Sequence, residues 1–111
     1  MIRRVIHMKE IIITSNNFEA QVLQSDKPIL LDFWAEWCCP CRALAPVLAN
    51  FAERHDDVKV GKLNVDQQRT LAAQFGIMSI PTLILFKDGK PVAQRIGLQN
   101  AASLEQLITE L

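Results

Sequence analysis

The sequence predicts an α/β fold in which a central mixed sheet of five strands carries helices on both faces. Short apolar runs alternate along the chain with segments of helical periodicity, and strands that are joined through helices favour parallel pairing. An Asp88-Gly89 turn between two apolar runs predicts a hairpin, which adds antiparallel strands at one edge. The chain of 111 residues, half of them hydrophobic, is long enough for one domain of this kind.

A strand and a short helix open the predicted domain. Residues 9–14 are rich in isoleucine and predict the strand. Ser15 and Asn16 are candidate amino-terminal caps for the helix, which is expected to end near Gln24. A second strand is predicted at residues 29–34, where an almost continuous apolar run indicates a buried position in the sheet.

The longest helix follows this second strand. Pro46 lies inside its pattern and is expected to kink it, because proline cannot donate the hydrogen bond to the preceding turn. Asp56-Asp57 ends the helix, and residues 58–65 predict a third strand. The apolar residues that define the buried face of the helix, spaced i, i+3, i+4, i+7 and i+8, are Leu44, Val47, Leu48, Phe51 and Ala52.

The rest of the chain predicts two helices and the hairpin. Asp66 is a candidate cap for a short helix that Gly76 ends. Strands at residues 82–87 and 91–96 flank the hairpin turn. Asn100 is a candidate cap for the last helix, whose apolar residues again follow the helical spacing.

The composition argues against several classes of partner. Twelve basic and twelve acidic residues balance, and without a basic stripe we expect no nucleic acid partner. No apolar run approaches the roughly 20 residues that a membrane helix needs, and no signal-peptide pattern opens the sequence. We therefore expect a cytoplasmic protein and a monomer. Residues 1–7 are predicted to be a flexible extension, and residues 8–111 the folded domain.

All three cysteines lie in one run of five residues, Trp37-Cys38-Cys39-Pro40-Cys41. The outer two form a Cys-x-x-Cys pair where the second strand ends and the long helix begins. Free backbone N–H groups and the helix dipole favour a thiolate at this position. We expect Cys38 to attack a disulfide and Cys41, one turn further along and less exposed, to resolve the mixed disulfide. Pro40 stiffens the loop between them.

Asp32 interrupts the apolar run of the second strand. A buried carboxylate is costly, so its pKa is expected to rise until the group can exchange protons near neutral pH. A hydrogen-bonded, purely structural carboxylate is the alternative. Because Asp32 lies six residues before a dithiol, we favour proton transfer. Asp32 would act as general base for Cys41 and then as general acid for the leaving thiol.

Residues 31–41, Leu-Asp-Phe-Trp-Ala-Glu-Trp-Cys-Cys-Pro-Cys, resemble the active-site segment of the thioredoxin family. Residues 62–66 and 80–89 resemble further segments of that family, and the likeness extends over residues 8–111. The resemblance implies the thioredoxin fold and an oxidoreductase that carries electrons to disulfides in protein substrates. It also implies re-reduction by a thioredoxin reductase, with no cofactor beyond the redox-active cysteine pair.

The same resemblance assigns roles to further residues. Lys62 matches a lysine that lies near the buried aspartate in the family, and its charge would limit the rise in the pKa of Asp32. Pro81 matches a proline that is cis in the family and faces the dithiol, which implies that the backbone of Ile80 can pair with an extended substrate. The residues expected to form an apolar substrate-binding surface around the dithiol are Trp37, Pro40, Met78, Ile80, Pro81, Gly97 and Leu98.

Cys39 departs from the family motif, which has glycine there. It is either a small exposed residue without a special role or a regulatory thiol open to glutathionylation, oxidation or an intermolecular disulfide. Two rival functions remain. Cys38, Cys39 and Cys41 could hold part of a zinc or iron–sulfur site, although we expect no metal because a fourth ligand is missing. The fold could also act as a non-enzymatic docking subunit. Core packing is the alternative for Met78 and Leu98.

Overall fold

The computed structural model describes residues 9–111. The predicted extension at residues 1–7, and Met8 at the start of the predicted domain, lie outside the described residues. The strands are β1 (Glu10–Ile12), β2 (Ile29–Trp34), β3 (Lys59–Asn64), β4 (Thr82–Lys87) and β5 (Lys90–Ile96). The helices are α1 (Cys39–Arg54), α2 (Arg69–Gln74) and α3 (Ala101–Leu107), with a π-helix at Glu19–Leu23 and a 3-10 turn at Ile108–Glu110.

The five strands form one sheet in the order β1-β3-β2-β4-β5. β3 pairs in parallel with both β1 and β2, whereas β4 pairs antiparallel with β2 and with β5. β2 is therefore central, and the hairpin forms one edge. This arrangement confirms the predicted mixed sheet. Within the described residues, no helix is long and apolar enough to cross a membrane.

One face of the sheet packs against α1 and α3. Strand side chains alternate between faces, so every second residue of β2, β3 and β4 points to this side. Leu44, Leu48 and Phe51 are buried on α1, which confirms its predicted apolar face, and the helix continues through Pro46. The buried residues of this core are Leu30, Leu44, Leu48, Phe51, Ala52, Val58, Val60, Leu83, Leu85, Leu104 and Leu107.

The other face packs against the π-helix and α2. Four phenylalanines, Phe18, Phe33, Phe75 and Phe86, form an aromatic cluster there. The ring centroid of Phe75 lies 5.6 Å from those of Phe18 and Phe86 and 5.9 Å from that of Phe33. Ring pairs at these distances stabilise a core beyond the area that they bury. With helices on both sides, the sheet is buried on both faces.

Several local predictions are confirmed because short-range chemistry decides them. β2 and β4 have the predicted boundaries. Asp88 and Gly89 both have positive φ, 54° and 78°, as a tight hairpin turn requires. The side chain of Asn100 accepts the backbone N–H of Ser103 at 2.8 Å and caps α3 as expected. β1 is shorter than predicted and covers only three residues.

The predicted caps of the first helix are wrong. No side chain caps the π-helix, which begins after Phe18. Instead, the Asn17 side chain accepts the backbone N–H of Thr14 at 2.8 Å, and the Thr14 hydroxyl accepts the N–H of Asn16 at 3.2 Å. Short polar side chains compete in this way for backbone groups and close a turn before the helix.

The predicted role of Asp66 as a helix cap is also wrong. α2 begins at Arg69, and the preceding Gln68 makes no side-chain capping bond. The side chain of Asn64 accepts the backbone N–H groups of Asp66 and Gln67, at 2.9 and 3.2 Å. These bonds close a turn at the end of β3 and move Asp66 away from the helix start, which frees its carboxylate for another partner.

The hairpin edge has an irregular ladder. The register between β4 and β5 shifts between Leu85 and Phe86, which leaves Phe86 opposite Pro91. Proline has no N–H for a ladder bond and is confined to edges and bulges of sheets. Lys90 and Arg95 add positive charge along the same edge strand.

Candidate active site

A disulfide joins Cys38 and Cys41, whose Cα atoms are 5.2 Å apart. Cys38 is the amino-terminal cap of α1, and its sulfur accepts the backbone N–H of Cys41 at 3.2 Å. Pro40 occupies the first turn, where a missing N–H costs nothing. The N–H group and the positive end of the helix dipole both favour negative charge on the Cys38 sulfur once the disulfide is reduced.

The three cysteines differ in accessibility. Cys38 is 4% exposed and Cys41 1%, so the expected difference between them is small in the disulfide form. Cys39, between them, is exposed and carries a free thiol. Within residues 9–111, no group of three or more histidine, cysteine or acidic side chains is arranged to hold a metal ion.

Asp32 lies in the middle of the central strand and is fully buried. Burial raises its pKa from the ordinary 3.8 to about 6, and the positive charge of Lys62 opposes the rise. The Lys62 Nζ lies 3.3 Å from the Asp32 Oδ2. This contact has the distance of an ion pair but not the direction of a hydrogen bond, and within the described residues neither carboxylate oxygen accepts one. The carboxylate is therefore held mainly by charge.

Lys62 is fixed by the register of the sheet. It lies directly opposite Asp32 in the parallel pair of β3 with β2. Its Nζ also lies 4.9 Å from the centroid of the Trp34 ring, within the range of a cation–π interaction. The lysine cation is thus held between a carboxylate and an aromatic ring.

The strand geometry relates Asp32 to the dithiol. Asp32 and Trp34 point to the same face of the sheet, because side chains two residues apart share a face. Trp34 in turn packs against the small buried cluster that contains both Cys38 and Cys41. The carboxylate therefore lies on the α1 side of the sheet, one residue pair before the level of the dithiol.

Among the exposed large apolar side chains, we group four under the name apolar rim: Trp37, Met78, Ile96 and Leu98. Met78 is 95% exposed and Leu98 54%, which excludes core packing for both. Ile96, which directly precedes Gly97, was not among the predicted site residues and is 60% exposed. Pro40 is exposed beside the rim.

Two rim residues, Trp37 and Met78, line a cavity of about 350 Å³ together with Val65, Ile77, Ser79 and Ile80. Ile80 is partly exposed, whereas Pro81 is buried. The ring of Pro81 therefore adds no open apolar surface, contrary to the expectation from the sequence. The peptide bond between them is cis. The Ile80 carbonyl oxygen lies 3.8 Å from the Cys38 sulfur.

Two local features bear on the surface at the rim: the open space beside Gly97 and a hydrogen bond of Trp37. Gly97 has a φ of +93°, and a Cβ built on it would meet no atom within 4 Å, so the space beside it is open. The indole N–H of Trp37 donates to the Asp66 Oδ2 at 2.8 Å. Because Asp66 does not cap α2, its carboxylate is available for this bond. The bond holds the exposed indole in one orientation.

Comparison with known proteins places this geometry in a family. A family model described as Thioredoxin matches residues 9–110. The chain belongs to the thioredoxin family. It is 57% identical over 100 residues to the thioredoxin of Alicyclobacillus acidocaldarius subsp. acidocaldarius, covering 89% of this chain and 94% of the relative. It is 47% identical over 92 residues to the thioredoxin of Streptomyces clavuligerus, covering 83% of this chain and 86% of the relative.

A third relative, the thioredoxin of Rickettsia felis (strain ATCC VR-1525 / URRWXCal2), is 45% identical over 93 residues, which cover 83% of this chain and 89% of the relative. Membership of the thioredoxin family confirms the predicted thioredoxin fold. It also confirms the predicted activity class, because the family consists of protein thiol–disulfide oxidoreductases. The chain is such an oxidoreductase, with a redox-active cysteine pair.

Proposed function

We propose that the chain reduces protein disulfides with Cys38 as the attacking nucleophile and Cys41 as the resolving thiol. The observation that supports this assignment most is the position of Cys38 at the amino-terminal cap of α1. Its sulfur already receives the Cys41 N–H at 3.2 Å, a contact that favours a thiolate at Cys38. Cys41 lies one turn inside the helix, where it can reach Cys38 but meets solvent less.

The first step forms a mixed disulfide. In the reduced protein, the Cys38 thiolate attacks one sulfur of the substrate disulfide. A bond forms between that sulfur and Cys38, and the substrate S–S bond breaks. The second substrate sulfur leaves as a thiolate and takes a proton from water.

The second step closes the disulfide seen in the structure. Asp32 takes the proton from the Cys41 thiol, and the resulting thiolate attacks the Cys38 sulfur. The bond between Cys38 and the substrate breaks, and the departing substrate thiolate receives the proton from Asp32. Two electrons have then passed to the substrate. A pKa of about 6 suits both transfers, because the group can gain and lose a proton near neutral pH.

Lys62 contributes by limiting the proton affinity of Asp32. Without the cation at 3.3 Å, burial would leave the carboxyl protonated to a higher pH, and it would be a poor base for Cys41. We therefore propose Lys62 as part of the catalytic group rather than as a solvated lysine.

Substrates would bind across the apolar rim. An exposed apolar surface of this kind suits many partly unfolded proteins rather than one partner. The backbone beside Ile80, whose carbonyl lies 3.8 Å from the Cys38 sulfur, would pair with an extended segment of substrate. The open space at Gly97 would leave room for that segment, and the ring of Pro40 would border it.

The two electrons are replaced by a thioredoxin reductase, which we propose as the second partner. No cofactor is needed for either exchange step, because both use only sulfur atoms and protons. A reducing cytoplasm is the compartment in which such a dithiol would work as a reductant. We place the protein there as a monomer.

Two cysteine variants test the assignment. With a disulfide-bonded test protein, Cys38→Ser should have no reductase activity, while Cys41→Ser should attack once and remain as a mixed disulfide that mass spectrometry detects. Cys39→Ser is the matched control and should keep turning over. Turnover of the Cys38→Ser variant through Cys39 and Cys41 would show that the roles are wrong.

A further inference from the structure

A cavity of about 710 Å³ opens beneath α1, next to the buried ion pair. Glu10 and Ile12 of β1, Trp34 of β2 and Lys62 of β3 form its wall on the sheet side. The residues that α1 contributes to the wall are uncharged. The cavity therefore brings an acidic side chain from the edge strand to the same space as the cation that holds Asp32.

The register of the sheet explains how Glu10 comes to this position. β3 lies between β1 and β2, with Glu10 opposite Val60 and Asp32 opposite Lys62. Val60 and Lys62 are two residues apart and share a face, so Glu10 and Asp32 point to the same side of the sheet. Adjacent strands are about 4.8 Å apart, which puts the two carboxylates on strands roughly 10 Å apart.

Both acidic groups are shielded from bulk water, Asp32 fully and Glu10 in part. The Oε2 atom of Glu10 is buried, and Asp32 is fully buried. Charges interact more strongly in such surroundings than at an exposed surface. After burial and the opposing effect of Lys62, the negative charge of Glu10 is a further cause that raises the pKa of Asp32.

β4 and the cavity wall on α1 present uncharged residues on the other sides of Asp32. β4 pairs Leu83 with Asp32 on the other side of β2. The cavity wall on α1 is uncharged, and Cys41 of α1 is held in the disulfide. Among the described residues, Lys62 and Glu10 are thus the charged groups that face Asp32, with opposite signs.

We propose that Glu10 is a positioning residue that, together with Lys62, sets how firmly Asp32 holds its proton. Its bearing on the reaction rests on the proposed role of Asp32 in proton transfer. Lys62 favours the carboxylate form of Asp32, which is the base for Cys41. Glu10 favours the protonated form, which is the acid for the leaving thiol. A residue outside the dithiol segment thereby balances the two halves of the second step.

The titration of Asp32, followed by the carbon NMR signal of its carboxyl group in the oxidised protein, tests the proposal. Glu10→Gln should move the midpoint downward by about half a unit, the size expected for one charge roughly 10 Å away in a partly aqueous medium. Glu10→Asp, which keeps the charge, should restore most of the shift. Glu53→Gln, an exposed carboxylate of α1 outside the cavity wall, is the matched control. Equal midpoints in the wild-type protein and Glu10→Gln would overturn the proposal.

Lys62→Gln gives an independent check of sign, because it should move the same midpoint upward. The pH profile of the resolving step, measured in a single turnover, separates this proposal from the proposed function. If the Asp32 midpoint and the rate profile both move down in Glu10→Gln, both are supported. If the midpoint moves and the rate profile does not, the link between Glu10 and Asp32 stands and the proton-transfer role of Asp32 is wrong.

Discussion

The two faces of the sheet are built for different purposes. The face against the π-helix and α2 is apolar, and the ring of Phe75 there packs against the other three rings of the aromatic cluster. The face against α1 contains a buried carboxylate, an ion pair and a large cavity. Burying a charged group costs stability, whereas burying rings adds it. Both faces contribute a buried apolar core, and the α1 face additionally contains the costly buried carboxylate.

The central strand serves both faces at once. Leu31 and Phe33 of β2 point to the aromatic side, and Asp32 and Trp34 point to the α1 side. Asp32 is thus held in place by direct chain neighbours that pack on the opposite face of the sheet. The position of Asp32 therefore depends on the packing of Leu31 and Phe33 on the opposite face of the sheet.

Removing a ring from the aromatic cluster should have the largest effect on stability. Phe86→Ala leaves a cavity among Phe18 and Phe75 and should lower the free energy of unfolding by about 3–5 kcal/mol. Urea denaturation of the oxidised protein measures it, with the half-exposed Val92→Ala as control. Reductase activity per folded molecule should stay unchanged. A large loss of that activity would mean that the two faces are not separate in function.

Replacing Asp32 by asparagine should raise the free energy of unfolding near neutral pH, in contrast to the loss expected for Phe86→Ala. The folded protein holds the Asp32 proton more firmly than the unfolded chain, since the pKa rises from 3.8 to about 6. The stability that this adds is present below pH 3.8 and is lost as the pH rises through about 6. Relative to Asp32→Asn, the wild-type protein should therefore lose up to about 3 kcal/mol between pH 4 and pH 7.

Urea denaturation of both oxidised proteins across that pH range measures the difference. Glu110→Gln, which removes an exposed carboxylate, is the control and should run parallel to the wild type. Curves for Asp32→Asn and wild type that stay parallel would contradict a raised pKa at Asp32. That result would mean that burying Asp32 does not make the α1 face more costly to fold than the aromatic face.

The smallest effect is expected where the chemistry meets the substrate. Asp66→Ala removes the acceptor of the Trp37 indole, a single exposed hydrogen bond worth about 1 kcal/mol. The KM for a protein substrate should rise about five-fold while kcat is unchanged, because only docking is affected. The neighbouring Gln67→Ala is the control. A fall in kcat with an unchanged KM would place the indole in the chemical step instead.

Sequence reasoning succeeds here where the deciding interactions are local. β2 and β4 are continuous apolar runs bounded by turn residues, and Asn100 caps the helix that it directly precedes. Sequence reasoning fails at Asp66, which could have capped α2 or bonded elsewhere. The turn closed by Asn64 moves Asp66 away from the start of α2, and its carboxylate accepts the Trp37 indole N–H instead. The cap of the first helix fails for the same reason, since Asn17 bonds within a turn.

The site shows the same limit over longer distances. The dithiol and Asp32 could be proposed because they lie within ten residues of one another. Glu10 could not, since its relation to Asp32 depends on the register of two strand pairs across the sheet. The burial of Pro81 and the exposure of Ile96 likewise depend on tertiary packing around the hairpin, which no spacing in the chain discloses.

The irregular hairpin edge has a consequence for self-association. Open strand edges recruit strands from other chains and seed aggregates, and proline, lysine and a shifted register are the devices that prevent it. β5 carries all three, with Pro91 opposite Phe86 and Lys90 at its start. The partly unfolded substrates that we propose for this protein would bring such open edges close to it. The shifted register, Pro91 and Lys90 of β5 would then hinder the strands of those substrates from pairing with the sheet.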